Sequence, residues 1–109
     1  MMSTPAKRTP VDKLREVSPE IADGFTRLRD GVLAGGPLDV VTVELIVVGA
    51  LAATRQHDAL RVHLRRLLEL ETDLAAIRQA LVAPFGAAST LTETIEALDA
   101  LEELVAVRT

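Results

Sequence analysis

Apolar positions along this 109-residue chain return mainly at intervals of three and four, the period of a helix with one buried face. Ile21, Phe25, Leu28 and Val32 form one such stripe. Ser18-Pro19-Glu20 ahead of them is a helix start: a capping hydroxyl, proline at the first helical position and an acid in the first turn. The spacing predicts a helix from there to about Leu33, closed by Gly35-Gly36. Pro37-Leu38-Asp39 reads as the opening of the next helix, with Asp39 in its first turn where it suits the macrodipole. β-Branched residues crowd Val40 to Val48, so period alone does not exclude a strand. Length and the Gly49-Ala50-Leu51-Ala52-Ala53 continuation favour a buried helix, apolar on nearly every side and therefore central or at a subunit contact. A third helix, about Gln56 to Leu70, turns Leu60, His63, Leu64 and Leu67 inward and Arg61, Arg65 and Glu69 outward. Thr72-Asp73 caps a fourth, Leu74 to Val82, with Leu74, Ile77 and Leu81 as its stripe and Pro84 as its breaker. Thr90-Leu91-Thr92-Glu93 has the pattern of a capping box. It opens a last helix to about Val107, with Leu91, Ile95, Leu98, Leu101 or Glu102, and Val105 in register. Met1 to Pro10 is polar and proline-punctuated, and Val11 to Val17 adds a short helical turn. Residues 1–17 are therefore expected to form a flexible arm and residues 18–109 one folded domain, all-α with about five helices.

Composition narrows the function classes. There is no cysteine, which excludes disulfides, thiolate metal sites and thiol redox chemistry. A net charge of −4 with mixed signs lacks the concentrated basic patch that nucleic acid requires. The longest apolar run, Leu45 to Ala53, falls well short of the ~18 residues of a membrane span. MMSTPAKRTP has no apolar signal core, so a cytoplasmic protein without nucleic-acid or membrane partners is expected.

One carboxylate stands out in the apolar helix, Glu44, and one imidazole lies on the apolar side of the helix after it, His63. An ionised carboxylate taken out of water costs several kcal/mol unless it is paired. If the chain turns near Thr54–Gln56, the two helices form an antiparallel hairpin. Glu44 then lies about ten residues before the turn and His63 about nine after it; at a rise of about 1.5 Å per residue they share one depth. Two helices presenting a Glu and a His to each other make a candidate acid–base pair.

The separation of Glu44 and His63, 19 positions, equals the Glu-to-His separation of the alkylhydroperoxidase D motif, E-x11-C-x2-C-x3-H. Its two cysteines would fall on Gln56 and Ala59. The text GALAATRQHDALRVHLRRLLE also resembles the carboxymuconolactone decarboxylase branch of that superfamily, which commonly reads AALAALGRTEELRGHIRGAL. The match rests on Leu60, Arg61, Val62, His63, Leu64 and Arg65, and the likeness covers Ser18 to Leu104. It implies an alkylhydroperoxidase D-like helical bundle assembled as a homo-oligomer, a trimer or hexamer. It also implies a cofactor-free lyase reaction: loss of CO2 from a carboxylated muconolactone, with a proton moved across the allylic system. Departures from the branch are plain. Without cysteines the chain is no thiol peroxidase. Val43 stands where the decarboxylases usually carry Arg, Glu44 where they often carry Ser, and Ala59 where they carry Glu.

The expected activity is thus a cofactor-free decarboxylase or isomerase acting on a small carboxylated or lactone substrate, with His63 and Glu44 exchanging protons. An imidazole changes charge near neutral pH. An enolate-like charge formed beside a carbonyl calls for a nearby cation. Arg55, Arg61 and His57 are the candidates, and Gln56 lies on the His63 face, where it could hydrogen-bond a substrate. Phe85 beside Gly86 is core packing or the lining of a pocket. The bland counterparts are a solvated face for Arg61 and Arg65, with Arg65 pairing to Glu69, and a surface position for His57. Glu93, Glu96, Glu102 and Glu103 read as a solvated face as well. The alternative function is a non-catalytic helical oligomer in which the Glu–His pair only sets how subunits register.

Overall fold

A computed structural model describes residues 9–108. Among them the chain forms six helices and no strand: α1 (Pro10–Val17), α2 (Pro19–Leu33), α3 (Val40–Ala53), α4 (His57–Glu69), α5 (Leu74–Val82) and α6 (Leu91–Arg108). No helix among the described residues is long and apolar enough to cross a membrane. The chain divides between Gly36 and Pro37 into two compact units.

The first unit is the α1–α2 hairpin. Residues 10–17, assigned from sequence to the arm with only a short helical turn, form a two-turn helix. Thr9 accepts from the Asp12 amide while the Asp12 carboxylate accepts from the Thr9 amide, satisfying two of the donors a helix start leaves open. Ser18 then closes one helix and opens the next. Its N–H donates to the Leu14 carbonyl at 3.0 Å, and its hydroxyl accepts from the Ile21 N–H. Arg15 and Asp23 add an exposed ion pair. The Ile21, Phe25, Leu28, Val32 stripe does share a face of α2, but that face is exposed and Ala22 is the buried residue. Two short helices have too little surface to cover four large side chains. Phe25 borders a hollow of about 440 Å3 with Val11, Leu14 and Val17.

The second unit holds the main core. Helix α3 packs on α4, α5 and α6, and α6 in turn packs on α4 and α5. Val48, Ala52, Leu60, Leu64, Leu67, Ile77, Leu81, Ala97, Ala100 and Leu101 are buried together. Asp39 is the cap of α3 rather than a first-turn residue, and Pro37 and Leu38 lie outside the helix. Its carboxylate accepts from the Thr42 amide at 2.7 Å, and that bond holds its pKa below the ordinary value. Helix α5 and its Asp73 cap fall where the sequence places them. The capping box Thr90/Glu93 forms in both directions. On α6, however, Leu91 and Ile95 are exposed, and Thr94, Ala97, Ala100 and Leu101 turn inward. The rest of the expected stripe holds, with Leu101 in the core and Leu98 and Val105 packed against it, and small side chains at Ala97 and Ala100 let the helices approach closely.

Gly49 shows the same demand for closeness. A Cβ built on it would lie 2.9 Å from the Ala80 carbonyl oxygen, so α3 and α5 meet backbone to backbone at this point. Beside that crossing runs an apolar groove of about 380 Å3, bordered by Ile46, Ala50 and Ala53 of α3 with Ala83 and Pro84 beyond α5.

Candidate active site

Helix α3 carries Glu44 on its inward line, one turn before the fully buried Val48. The turn to α4 is tightly bonded. Thr54 donates through its hydroxyl to the Ala50 carbonyl at 2.8 Å, and the Gln56 N–H reaches the Leu51 carbonyl at 3.0 Å. Arg55 takes a left-handed backbone, φ 55°, to reverse the chain. The hairpin places His63 opposite Glu44, at the depth the residue count predicts.

Glu44 is completely buried, 0% exposed, and both carboxylate oxygens are used. His63 Nδ1 lies 2.6 Å from Oε2, and Arg66 donates from a terminal guanidinium nitrogen to Oε1 at 3.1 Å. The His63 side chain is 16% exposed and that of Arg66 43%, so the cluster runs from a sealed carboxylate outward to solvent. A carboxylate only accepts, so the Nδ1–H tautomer of His63 satisfies the contact and leaves the Nε2 lone pair free. Among the described residues Nε2 has no hydrogen-bond partner, and it is not sealed from solvent. A buried carboxylate therefore fixes the tautomer and orientation of an imidazole whose other nitrogen can exchange protons.

The remaining nominated residues lie elsewhere. Arg55 donates twice to Glu96, at 2.7 and 3.3 Å, and His57 Nε2 sits 3.0 Å from the same carboxylate. That pairing raises the Arg55 pKa and, with the Arg55 hydrogen bond as the leading cause, lowers that of Glu96. Arg61 pairs with Glu103 at 3.3 Å. So Glu96 and Glu103, assigned from sequence to a solvated face, hold Arg55 of the α3–α4 turn and Arg61 of α4 respectively. The Arg65–Glu69 pair does not form among the described ion pairs; both side chains face water. Gln56 is exposed at the start of α4 and makes no capping bond. Phe85 is exposed as well, in a turn bridged to Ser89. None of these five substrate-binding candidates shares a bond with Glu44 or His63. Neither the α3–α5 groove nor the hollow of the first unit is bordered by that pair. Among the described residues no group of three or more His, Asp or Glu side chains is placed to hold a metal ion.

Arg66 is the member of the cluster that sequence reasoning passed over. The signal was present: it follows His63 by three positions, on the same helical face.

Neither the curated proteins nor the solved structures compared with this chain gave a match. A family model does match residues 19–103, which run from the start of α2 through most of α6, and its description is the carboxymuconolactone decarboxylase family. Family model, helical architecture and the Glu44–His63 spacing agree, and the chain belongs to the carboxymuconolactone decarboxylase family.

Proposed function

We propose that the protein is a cofactor-free decarboxylase or isomerase that acts on a small carboxylated or lactone substrate through His63 and Glu44. The observation that carries this reading is the 2.6 Å contact between a fully buried carboxylate and Nδ1 of an imidazole whose Nε2 remains open. In an isomerisation, neutral His63 takes a proton from the carbon beside the carbonyl at Nε2 and returns it further along the allylic system. Glu44 stabilises the imidazolium between the two steps. In a decarboxylation the bond to the departing CO2 breaks, its electron pair passes into the enolate, and a protonated His63 delivers the proton to carbon. Homo-oligomeric assembly is part of the proposal. Val40 and Ile46 on α3, and Ile21 and Leu28 on α2, are exposed apolar side chains that a second copy would cover.

The test is turnover against a panel of small carboxylated lactones, read as CO2 release and as exchange of carbon-bound hydrogen for deuterium. His63→Ala and Glu44→Gln should each lower the rate by about 10²–10⁴-fold, with the oligomer, measured by light scattering, intact. A full rate in either variant would falsify the assignment. The rival reading, a silent helical oligomer, draws support from a Glu44 already satisfied by protein groups and from a groove that bypasses it. It predicts no turnover at all and loss of assembly in the same two variants.

A further inference from the structure

The chemistry proposed for His63 calls for a cation near the developing negative charge, and the arginines nominated from sequence are engaged by Glu96 and Glu103. We infer that Arg66 supplies it: its guanidinium is the anchor for a carboxylate group of the molecule on which His63 acts. This rests on the reading of His63 given above.

A guanidinium carries five N–H donors in a fixed fork. Arg66 spends one terminal nitrogen on Glu44 Oε1 at 3.1 Å. Among the described residues its Nε and second terminal nitrogen have no partner and are not sealed from solvent, and the side chain is 43% exposed. That free edge is the one that grips a planar carboxylate through two parallel hydrogen bonds. Glu69, the next acid along α4 at the same spacing, forms no ion pair with it among the described residues. His63 and Arg66 stand one helical turn apart on one face, and both are tied to the same sealed carboxylate. Glu44 thus holds both side chains at one place on the α3–α4 hairpin. Charge agrees with geometry. Glu44 and Arg66 cancel formally, and a protonated His63 adds one positive charge to the cluster. The ligand class that follows is a small molecule with a carboxylate next to the carbon that gains or loses the proton.

The chain has only two histidines, so His57 is a built-in control for NMR of the imidazole Cε1–H signals. The full chain is titrated at constant ionic strength with adipate, and separately with its neutral diamide, adipamide. The expected result is a saturable shift of the His63 signal with adipate, none with adipamide, and a stationary His57. Arg66→Gln should weaken adipate binding by about tenfold or more, the loss expected for hydrogen bonds to a charged group. Arg66→Lys keeps the charge beside Glu44 and should fall between the two, because an ammonium lacks the fork. Arg66→Gln titrating like the parent, adipamide shifting His63 as adipate does, or His57 moving in step with His63 would each overturn the anchor. If adipate binds through Arg66 while His63→Ala keeps full turnover, the anchor stands and the proposed reaction falls. If His63→Ala abolishes turnover while adipate is ignored, the reaction stands and the anchor falls.

Discussion

Two carboxylates in the second unit hold the same kinds of partner, one imidazole and one guanidinium each, in opposite surroundings. Glu44 is sealed between α3 and α4, bonded to His63 and Arg66. Glu96 on α6 bonds Arg55 and His57 where its side chain is 34% exposed. Water can replace either partner of Glu96, so the cluster gains little from its pairing, and salt screens what it gains. Water cannot reach Glu44, so its partners are obligatory: a carboxylate there must be paired, or absent. Identical chemistry is thus ornamental at one end of the hairpin and constraining in the middle. The constrained copy is the one whose imidazole geometry is fixed.

The sharpest way to break the comparison is to strip Glu44 of both partners. His63→Leu with Arg66→Leu should destabilise the fold by about 3–5 kcal/mol, the cost of leaving a buried charge alone. Adding Glu44→Leu should restore most of that loss, since three apolar groups demand no pairing. Denaturant unfolding of the parent, the double and the triple variant reads both steps. Equal loss in double and triple would mean that packing, rather than charge, governs the site.

Glu96→Gln should cost far less, and the loss should shrink at high salt. Its pH dependence has a definite sign. Glu96 has a folded pKa below the ordinary value near 4.5, so its contribution is complete above that value and is lost as pH falls through the lowered one. Thermal melts of parent and variant should therefore converge in acid. A gap that widens in acid would contradict the assigned pairing.

Arg55→Gly should have the smallest effect. It removes the ion pair with Glu96 but also relieves a left-handed backbone, φ 55°, that a side chain adopts at a cost. Its melting midpoint should move less than that of Glu96→Gln.

These contrasts also explain what could be seen in the sequence. Counting residues on either side of a turn is enough to oppose Glu44 and His63, because helical rise is constant. The Asp73 cap and the Thr90/Glu93 box were legible because their bonds join residues two and three positions apart. Helix α1 has a box of the same span at Thr9 and Asp12, yet its two turns follow a proline-punctuated stretch and do not stand out from it. The carboxylates that Arg55, His57 and Arg61 bond, Glu96 and Glu103, lie about forty residues downstream on α6. Nothing local announces a pairing of that range. Arg66 was hidden differently: its position was readable, but only the structure shows that its guanidinium turns back to share Glu44.

The backbone crossing at Gly49 sets a limit on how this surface can change. Even one methyl group there would strike a main-chain carbonyl, which cannot swing aside as a side chain can. Whatever the apolar groove comes to accommodate, its shape must be tuned from its borders, at positions such as Ile46, Ala50 and Ala53. The floor between the two helices is closed to variation, so new shapes there can arise only at the margins.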